Sequence, residues 1–461
     1  MDIGKLLMKL GVAAILVGST SYTYASGFQL FEQNGAWVGD YDAGGAAEAS
    51  DASTAWYNPA GLVRLDHTQL VLGAAGVDAG LSFEGEAQNY TTATINAPLP
   101  PHNPETIHVL NYDAYGTAEG GTFAVIPSFH LAVPLSNSVV AALSVVVPFG
   151  LESDWPDDSI VRYSATETSI EDVDITPSLG VKITDKFSIG AGIDFQHVDA
   201  VLDQIVGFGD VVPNSDSHSE NDADDWALGW HGGVLYQFTP HTRVGLAYHS
   251  QVNVDADGTS KFYGPLATYV TGGQTDTLVS HDLNAQVTLP GYATLSIFHD
   301  INARWAVKAS ANYTEWSKFD TIPLNNVAAI GQVDGTLQPQ ILNVNVPQNF
   351  HNTWRFATGV NFKQTEKWMW RAGVGVDQDP TNDEDRNLRL PDGNVFAIAV
   401  GAHYQLNKAF GFDAGYQHLF TKDGEINNAE VVGAQTAYVN GDTKNTANLF
   451  SLQMTVNFGT A

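Results

Sequence analysis

The side chains that could carry out chemistry do not form a recognisable catalytic motif in this chain of 461 residues. The absence of cysteine excludes thiolate metal sites, a cysteine nucleophile and disulfide bonds. Neither an HExxH nor a GxSxG motif occurs, and none of the fourteen histidines forms a recognisable sequence pair with a serine or a carboxylate. We therefore expect no enzyme, no metal site and no cofactor, with a triad assembled from distant strands as the remaining alternative.

The charge balance excludes nucleic acid as a partner. The chain has 20 lysines and arginines against 51 aspartates and glutamates, a formal net charge of -31, and it cannot neutralise a run of phosphates. Most acidic residues fall in predicted outer loops, where they favour a solvated surface; divalent-cation bridging to anionic lipid is the alternative. They include Asp154, Asp157, Asp158, Asp222, Asp224, Asp383, Glu384 and Asp385.

Residues 1–25 are predicted to be a signal peptide. Lys5 and Lys9 precede or flank the start of a short apolar run at residues 10–18, and Thr23-Tyr24-Ala25 resembles a small-x-small cleavage site. The apolar run is too short for a stable spanning helix, and an N-terminal membrane anchor is the alternative. An exported, aromatic-rich chain without a later long apolar run is either soluble or a β-barrel.

A period of two residues, typical of β-strands, runs through much of the remaining chain. Near the C-terminus, Phe450 and Leu452 alternate with Ser451 and Gln453. The same alternation recurs over residues 187–195, 354–362, 368–376 and 396–404.

The lengths of the connections favour a transmembrane barrel over a soluble sandwich. Six connections are very short, at residues 135–138, 185–186, 240–241, 299–302, 364–367 and 407–408. Seven long polar stretches separate them, at residues 85–121, 151–168, 206–224, 255–282, 320–350, 378–393 and 421–446. Thirteen connections imply fourteen antiparallel strands, and outer-membrane barrels alternate tight periplasmic turns with long outer loops in this way.

The segment before the first strand does not alternate. Residues 26–66 are small and mostly uncharged, with a turn signal at Asn58-Pro59. We predict that this plug segment packs inside a barrel formed by residues 67–461, and a flexible tail is the alternative. Its tyrosines and tryptophans argue against disorder.

Few cations are available inside the predicted barrel, because the chain has only eight arginines. Arg355 and Arg371 fall on inward parity and could hold a carboxylate ligand. If the turn between their strands centres near residue 366, Arg355 lies opposite Asp377, and an Arg355–Asp377 ion pair is the preferred alternative. Arg162 is a candidate ligand contact in a loop.

Several stretches resemble the FadL/TodX family of outer-membrane transporters for long-chain fatty acids and other hydrophobic compounds. Ser26-Gly-Phe-Gln-Leu-Phe-Glu-Gln-Asn-Gly35 and Asp51-Ala-Ser-Thr-Ala-Trp-Tyr-Asn-Pro-Ala-Gly-Leu62 are similar to the N-terminal hatch of that family. Later stretches that resemble the family are Pro127-Ser-Phe-His-Leu-Ala-Val-Pro134, Val147-Pro-Phe-Gly-Leu151, Arg386-Asn-Leu-Arg-Leu-Pro-Asp-Gly393 and Gly415-Tyr-Gln-His-Leu-Phe420.

The resemblance implies an all-β fold, a 14-stranded antiparallel transmembrane β-barrel whose lumen holds an N-terminal hatch with Asn58, Pro59 and Ala60 as its motif. It also implies capture of an apolar ligand outside the cell and a lumenal pocket near the first hatch residues, for which we select Phe28, Leu30 and Phe31. A ladder break in the third strand would open a lateral path. We place that break at Pro148, since proline removes a strand hydrogen bond; the alternative is that Pro148 merely ends its strand.

The expected function is passive uptake of hydrophobic molecules (fatty acids, alkanes or aromatics) by a barrel in the outer membrane of a Gram-negative bacterium. The barrel is expected to be a monomer in contact with outer-membrane lipid and lipopolysaccharide. A general or solute-selective porin is the alternative. No GxxxxGK[ST] loop indicates a nucleotide-driven step.

Overall fold

The computed structural model describes residues 27–96, 104–209, 212–333 and 336–459. The predicted signal peptide and Ser26 lie outside these residues. Among the helices in this part of the chain, none has the length and apolarity needed to cross a bilayer.

The described residues form 21 strands in one antiparallel sheet. In chain order they are β1 Gln69–Asn96, β2 Pro104–Glu119, β3 Thr122–Ser136, β4 Val139–Asp154, β5 Glu167–Lys182, β6 Phe187–Leu202, β7 Gln204–Val206, β8 Ser217–Thr239, β9 Thr242–His249, β10 Val252–Tyr263, β11 Thr277–Leu289, β12 Tyr292–Asp300, β13 Trp305–Thr314, β14 Thr321–Val333, β15 Thr336–Pro347, β16 Thr353–Lys363, β17 Trp368–Asp377, β18 Val395–Gln405, β19 Phe410–Thr421, β20 Gly424–Val432 and β21 Gln435–Asn457.

Fourteen of these described strands close into a ring, which confirms the predicted barrel. The hydrogen-bonded order is β1, β3, β4, β5, β6, β8, β9, β12, β13, β16, β17, β18, β19, β21 and back to β1. Ring closure pairs each of these strands with a neighbour on both sides over at least part of its length, so most backbone hydrogen bonds of the wall can be satisfied inside hydrocarbon.

The predicted strand faces are also observed. Phe450 and Leu452 are 55% and 71% exposed on the outside of the ring, whereas Ser451 and Gln453 are buried inside it. This arrangement presents an apolar outer surface to lipid and leaves small polar side chains in the lumen.

The six short connections are confirmed as tight turns between consecutive ring strands. Gln69 at the start of β1 pairs with Asn457 at the end of β21, so the two ends of the barrel sequence lie at the turn end of the ring. The prediction of seven long polar loops is wrong for five of them, because they contain all or part of β2, β8, β10 and β11, β14 and β15, or β20. Residues that signal turns, such as Gly85 and Pro339, lie within these protruding hairpins.

Short helices form most of the regular structure in the plug segment. They are a 3₁₀ helix at Trp37–Asp40, α1 at Gly45–Glu48, α2 at Thr54–Tyr57 and a second 3₁₀ helix at Pro59–Arg64. Elsewhere, α3 spans Pro265–Val270 and a 3₁₀ helix spans Trp316–Lys318. The plug segment is almost entirely buried and contacts ring strands on several sides, from β4 and β5 to β13, β18 and β21, so it occupies the lumen.

Glycines in the wall allow the plug segment to approach the strands closely. A Cβ atom added to Gly373 in β17 would overlap the main-chain carbonyl of Asp40, and one added to Gly245 in β9 would overlap that of Ala46. The backbone of the plug segment therefore docks directly on the backbone of the wall at these points.

Replacing Gly373 with valine should push the plug segment away from the wall. We expect steady ion conductance in planar bilayers to rise several-fold over the wild-type protein, because water and ions would enter the displaced region. Gly116→Val is the matched control, since its added Cβ meets only Ile160 at an ordinary 3.7 Å. Unchanged conductance in a Gly373→Val barrel that still shows heat-modifiable electrophoretic mobility would contradict this docking.

Candidate functional site

A buried lysine clamps the plug segment to the wall. Lys308 on β13 lies with its Nζ 2.6 Å from Asp40 Oδ2 and also forms an ion pair with Glu48. Asn361 on β16 donates a hydrogen bond of 3.0 Å to the second carboxylate oxygen of Glu48. Removing one partner of a buried ion pair leaves the other charge buried and unpaired, which lowers stability by about 3–5 kcal/mol. The lysine therefore ties two helical turns of the plug segment to one strand.

Arg355 forms the ion pair predicted from strand register. Arg355 in β16 lies opposite Asp377 in β17, and its Nε is 3.4 Å from Asp377 Oδ2. The guanidinium also stacks over the rings of Phe31 at 4.1 Å and Tyr41 at 3.8 Å. Arg355 thus joins the wall to both the first residues and the first helix of the plug segment.

The other two predicted arginines lie far apart in the structure. Arg371 Nη1 is 2.5 Å from Asp413 in β19, and its Nε is 3.8 Å from Asp40. Arg162 lies outside the lumen, in the connection between β4 and β5, where its Nε donates to Asp216 at 3.0 Å. Arg371 therefore belongs to the contacts of the plug segment, and Arg162 to the packing of outer loops.

The Asn58-Pro59-Ala60 motif fixes the end of the plug segment. The Asn58 side chain accepts a hydrogen bond from the Ala60 N–H and donates to the carbonyls of Ala46, at 2.7 Å, and Val234, at 3.0 Å. Pro59 occupies the first position of the helix, where no intrahelical N–H donor is needed. One asparagine therefore caps a helix, joins it to α1 and anchors it to β8.

Pro148 interrupts the wall inside β4 rather than at its end. Val146 pairs with Asp174 and Phe149 pairs with Asp172, so two residues of β4 face one residue of β5. This is a β-bulge, which bends a strand. Because β4 continues well beyond Pro148, the alternative that Pro148 ends the strand is wrong.

The bulge accompanies an opening between β3 and β4. Within the fully described residues 104–209, ladder pairing of these strands begins at Ser136 with Val139 and stops at Phe129 with Val145. Residues 122–128 of β3 form ladder pairs only with β1, which leaves the outer half of β4 without β3 as a ladder partner. Beyond this gap, the Thr122 hydroxyl of β3 lies 3.5 Å from the Glu152 carbonyl of β4.

The first residues of the plug segment take up the free edge of β4. The Leu30 N–H donates to the Pro148 carbonyl at 2.8 Å, and the Gly150 N–H donates to the Phe28 carbonyl at 2.9 Å. Phe28 is buried and packs edge-on against Trp316 at 4.8 Å and Phe319 at 5.0 Å. The plug segment is therefore joined to the wall at the opening itself.

An inner cavity of about 240 Å³ lies beside the opening. Its lining includes Leu30 and Phe31, as well as Gly121 and Leu151 from the two sides of the opening. Phe28, also predicted for this pocket, is packed in the neighbouring aromatic cluster instead. Apolar lining residues also include Val77, Ala79, Leu81, Leu390, Val395, Leu419, Ala447 and Leu449.

An outer cavity of about 270 Å³ lies among the protruding hairpins. Its apolar lining comprises Leu202, Leu324, Val327, Val344, Val346, Pro347, Ala429, Val431 and Val432. Arg389 lines both this cavity and the inner one, so one cation lies between the two apolar spaces.

The charge of Arg389 is only weakly compensated. Its hydrogen bonds, of 2.8–3.1 Å, go to uncharged acceptors: Thr168 Oγ1, Gln204 Oε1 and the carbonyls of Ser164 and Asp203. Glu430 is 3.9 Å away, and burial raises its pKa despite the opposing charge of Arg389. Burial also raises the pKa of the Asp203 carboxyl to about 7. Both shifts reduce the negative charge beside the guanidinium.

Sequence reasoning missed Lys308, Arg389 and Arg243 as functional cations. Arg243 on β9 donates from Nε to the Ala47 carbonyl at 2.6 Å. A signal existed for Lys308, which has the inward parity of the strand position between Ala306 and Ser310. For Arg389 only its loop resembled the family, and the cavities that it joins arise from protruding hairpins that had been predicted as loops.

A closed ring with an apolar outer face and a filled lumen defines a plugged transmembrane barrel, and comparison with known proteins agrees. The family model for outer membrane protein transport proteins (OMPP1/FadL/TodX) matches residues 16–458. Outer membrane protein P1 of Haemophilus influenzae is 25% identical over 465 residues, covering 94% of this chain and 95% of that protein. A long-chain fatty acid transport protein of Salmonella typhi is 22% identical over 446 residues, covering 92% and 94%.

A solved structure agrees over nearly the same length. The crystal structure of a Pseudomonas aeruginosa FadL homologue has a TM-score of 0.79 and 27% sequence identity, covering 94% of this chain and all of that one. The chain belongs to the OMPP1/FadL/TodX family. It is an outer-membrane β-barrel of a Gram-negative bacterium, as the sequence predicted.

Proposed function

We propose that this protein takes up hydrophobic molecules passively across the outer membrane and releases them sideways through the opening between β3 and β4. The observation that carries the proposal is an apolar cavity beside a gap in the wall, in a barrel whose lumen is occupied by its own chain. A molecule in that cavity has the lipid phase as its neighbouring apolar environment.

Burial of apolar surface supplies the driving force for each step. An alkyl chain gains roughly 0.8 kcal/mol for each buried CH₂ group, so the outer cavity can capture it and the inner cavity can receive it. Both cavities are partly open to their surroundings. This favours release of a bound molecule down its concentration gradient.

No covalent chemistry is needed for such transport. His130 Nδ1 lies 2.9 Å from Ser144 Oγ, but its Nε2 faces the Gln33 carbonyl at 2.7 Å instead of a carboxylate. This pair lacks the third member of a catalytic triad and supports a role in holding the plug segment.

Long-chain fatty acids are the favoured substrates because of Arg389. An arginine with neutral hydrogen-bond partners between two apolar cavities suits a ligand with a carboxylate head and an alkyl tail. Arg355 also lines the inner cavity, but Arg355 and Arg371 already form ion pairs, so we assign them to the plug segment rather than to the ligand. Arg162 lines neither cavity and is assigned to loop packing.

The mature protein is proposed to begin at Ser26, with residues 26–66 acting as the plug and residues 67–461 as the barrel. We propose that it acts as a monomer surrounded by outer-membrane lipid and lipopolysaccharide. A general porin is disfavoured because the residues that would line its channel contact the plug segment instead.

Deleting residues 26–31 should reduce uptake of labelled oleate strongly without unfolding the barrel. The deletion removes the two backbone hydrogen bonds to β4 and three side chains that line the inner cavity, those of Gln29, Leu30 and Phe31. Uptake is measured in a strain lacking the native gene, with heat-modifiable mobility as the test of folding. Wild-type uptake by the truncated protein would refute the role of these residues.

Arg389→Met should lower oleate uptake about tenfold while leaving hexadecane uptake unchanged. A hydrogen bond to a charged group contributes about 1.5–3 kcal/mol, and the substitution removes this contribution for oleate. Hexadecane has no carboxylate and forms no such bond with Arg389. Arg304→Met, at an exposed position in the turn between β12 and β13, is the matched control. Equal loss for both substrates would indicate a structural role for Arg389, and no loss would favour neutral hydrocarbons.

A further inference from the structure

Two histidines and one aspartate meet on the lumenal face of β6, β8 and β9. They are Asp194, His231 and His249, all buried, and they place one potential ligand atom each within 4.8 Å of the others. His231 and His249 are direct cross-strand partners, with stacked rings 4.9 Å apart. His231 Nδ1 is 2.6 Å from Asp194 Oδ1.

The plug segment contacts both imidazole rings from the lumenal side and orients them. His231 Nε2 is 3.0 Å from the carbonyl of Ala55, and the ring of Trp56 packs against the His249 ring with 4.3 Å between the two centroids. His249 Nδ1 has no hydrogen-bond partner. Histidine ligands of metal ions typically donate their other ring N–H to a carbonyl or a carboxylate, which fixes the tautomer. Here the Ala55 carbonyl of α2 is positioned for that role towards His231.

Two further carboxyl groups are buried beside these three residues. Asp172 and Asp174 on β5 are fully buried on the same lumenal face, and neither oxygen of Asp172 has a hydrogen-bond partner. Among the described residues, the ion-pair partner of Asp194 is His231, not a lysine or arginine. An uncompensated buried carboxylate is costly, and a divalent cation would offset that cost.

We propose that Asp194, His231 and His249 form a binding site for a divalent transition-metal ion of the zinc class. Two imidazole nitrogens with one carboxylate suit Zn²⁺ and its neighbours, whereas Ca²⁺ and Mg²⁺ prefer oxygen ligands alone. The ion enters when the plug segment folds against the wall, because α2 covers the site. The bound metal then holds α2 to β8 and β9 through the Ala55 carbonyl and the Trp56 ring, which contact the two histidines. This site is independent of the proposed uptake.

Zinc binding by the full-length protein in detergent tests the proposal. The protein is stripped with EDTA, titrated with Zn²⁺ alone and gel-filtered, and zinc is counted by mass spectrometry. We expect one zinc ion per wild-type chain, with affinity lowered at least about 100-fold in His249→Gln. His197→Gln is the matched control, because His197 lies on β6 but contacts Asp224 at the outer end, and it should bind as the wild type does.

Two results would overturn the metal site: a wild-type protein that retains no zinc, or a folded His249→Gln variant that binds it as tightly as the wild type. If that variant fails to fold, X-ray absorption by the zinc-loaded wild-type protein decides. Scattering from two imidazole ligands supports the site, and a spectrum without imidazole scattering overturns it.

Discussion

The buried contact of Lys308 with Asp40 and Glu48 is the interaction on which the rest of the structure depends. It pairs charges that would otherwise be buried without a partner. It also holds the plug segment in the lumen, which a ring of fourteen strands leaves open. The plug segment therefore stands in the way of a straight aqueous path along the described part of the lumen. In the proposed uptake, an apolar molecule crosses the wall instead, at the place where Pro148 introduces a bulge.

The filling of the bore and the break in the wall are joined by one stretch of chain. The residues that follow the predicted cleavage site bond to β4 at the bulge and line the inner cavity, while later residues of the same segment dock on wall glycines and buried ion pairs. Displacing the segment would therefore change both the closure of the lumen and the shape of the cavity. Arg389 extends this arrangement outwards, since it borders the inner cavity and the outer one.

Much of the fold was predictable, because strand periodicity and turn length are local properties of sequence. Alternation at Phe450 to Gln453 predicted the strand faces, the six short and seven long connections predicted the strand number, and register alone paired Arg355 with Asp377. The protruding hairpins were not predictable as strands, because they contain residues typical of turns, such as Gly85 and Pro339. Lys308, Arg389 and the group of Asp194, His231 and His249 depend on ring closure, which brings together residues separated by long stretches of sequence.

Oleate uptake by a variant lacking Pro148 is the most direct measurement of lateral release. Removing one of the two bulged residues restores a continuous register between β4 and β5, and this should close the gap beside β3. If molecules leave sideways, uptake should fall to the level of a strain without the gene, while the purified variant still binds oleate with wild-type affinity. Undiminished uptake by a folded variant would contradict release through the wall.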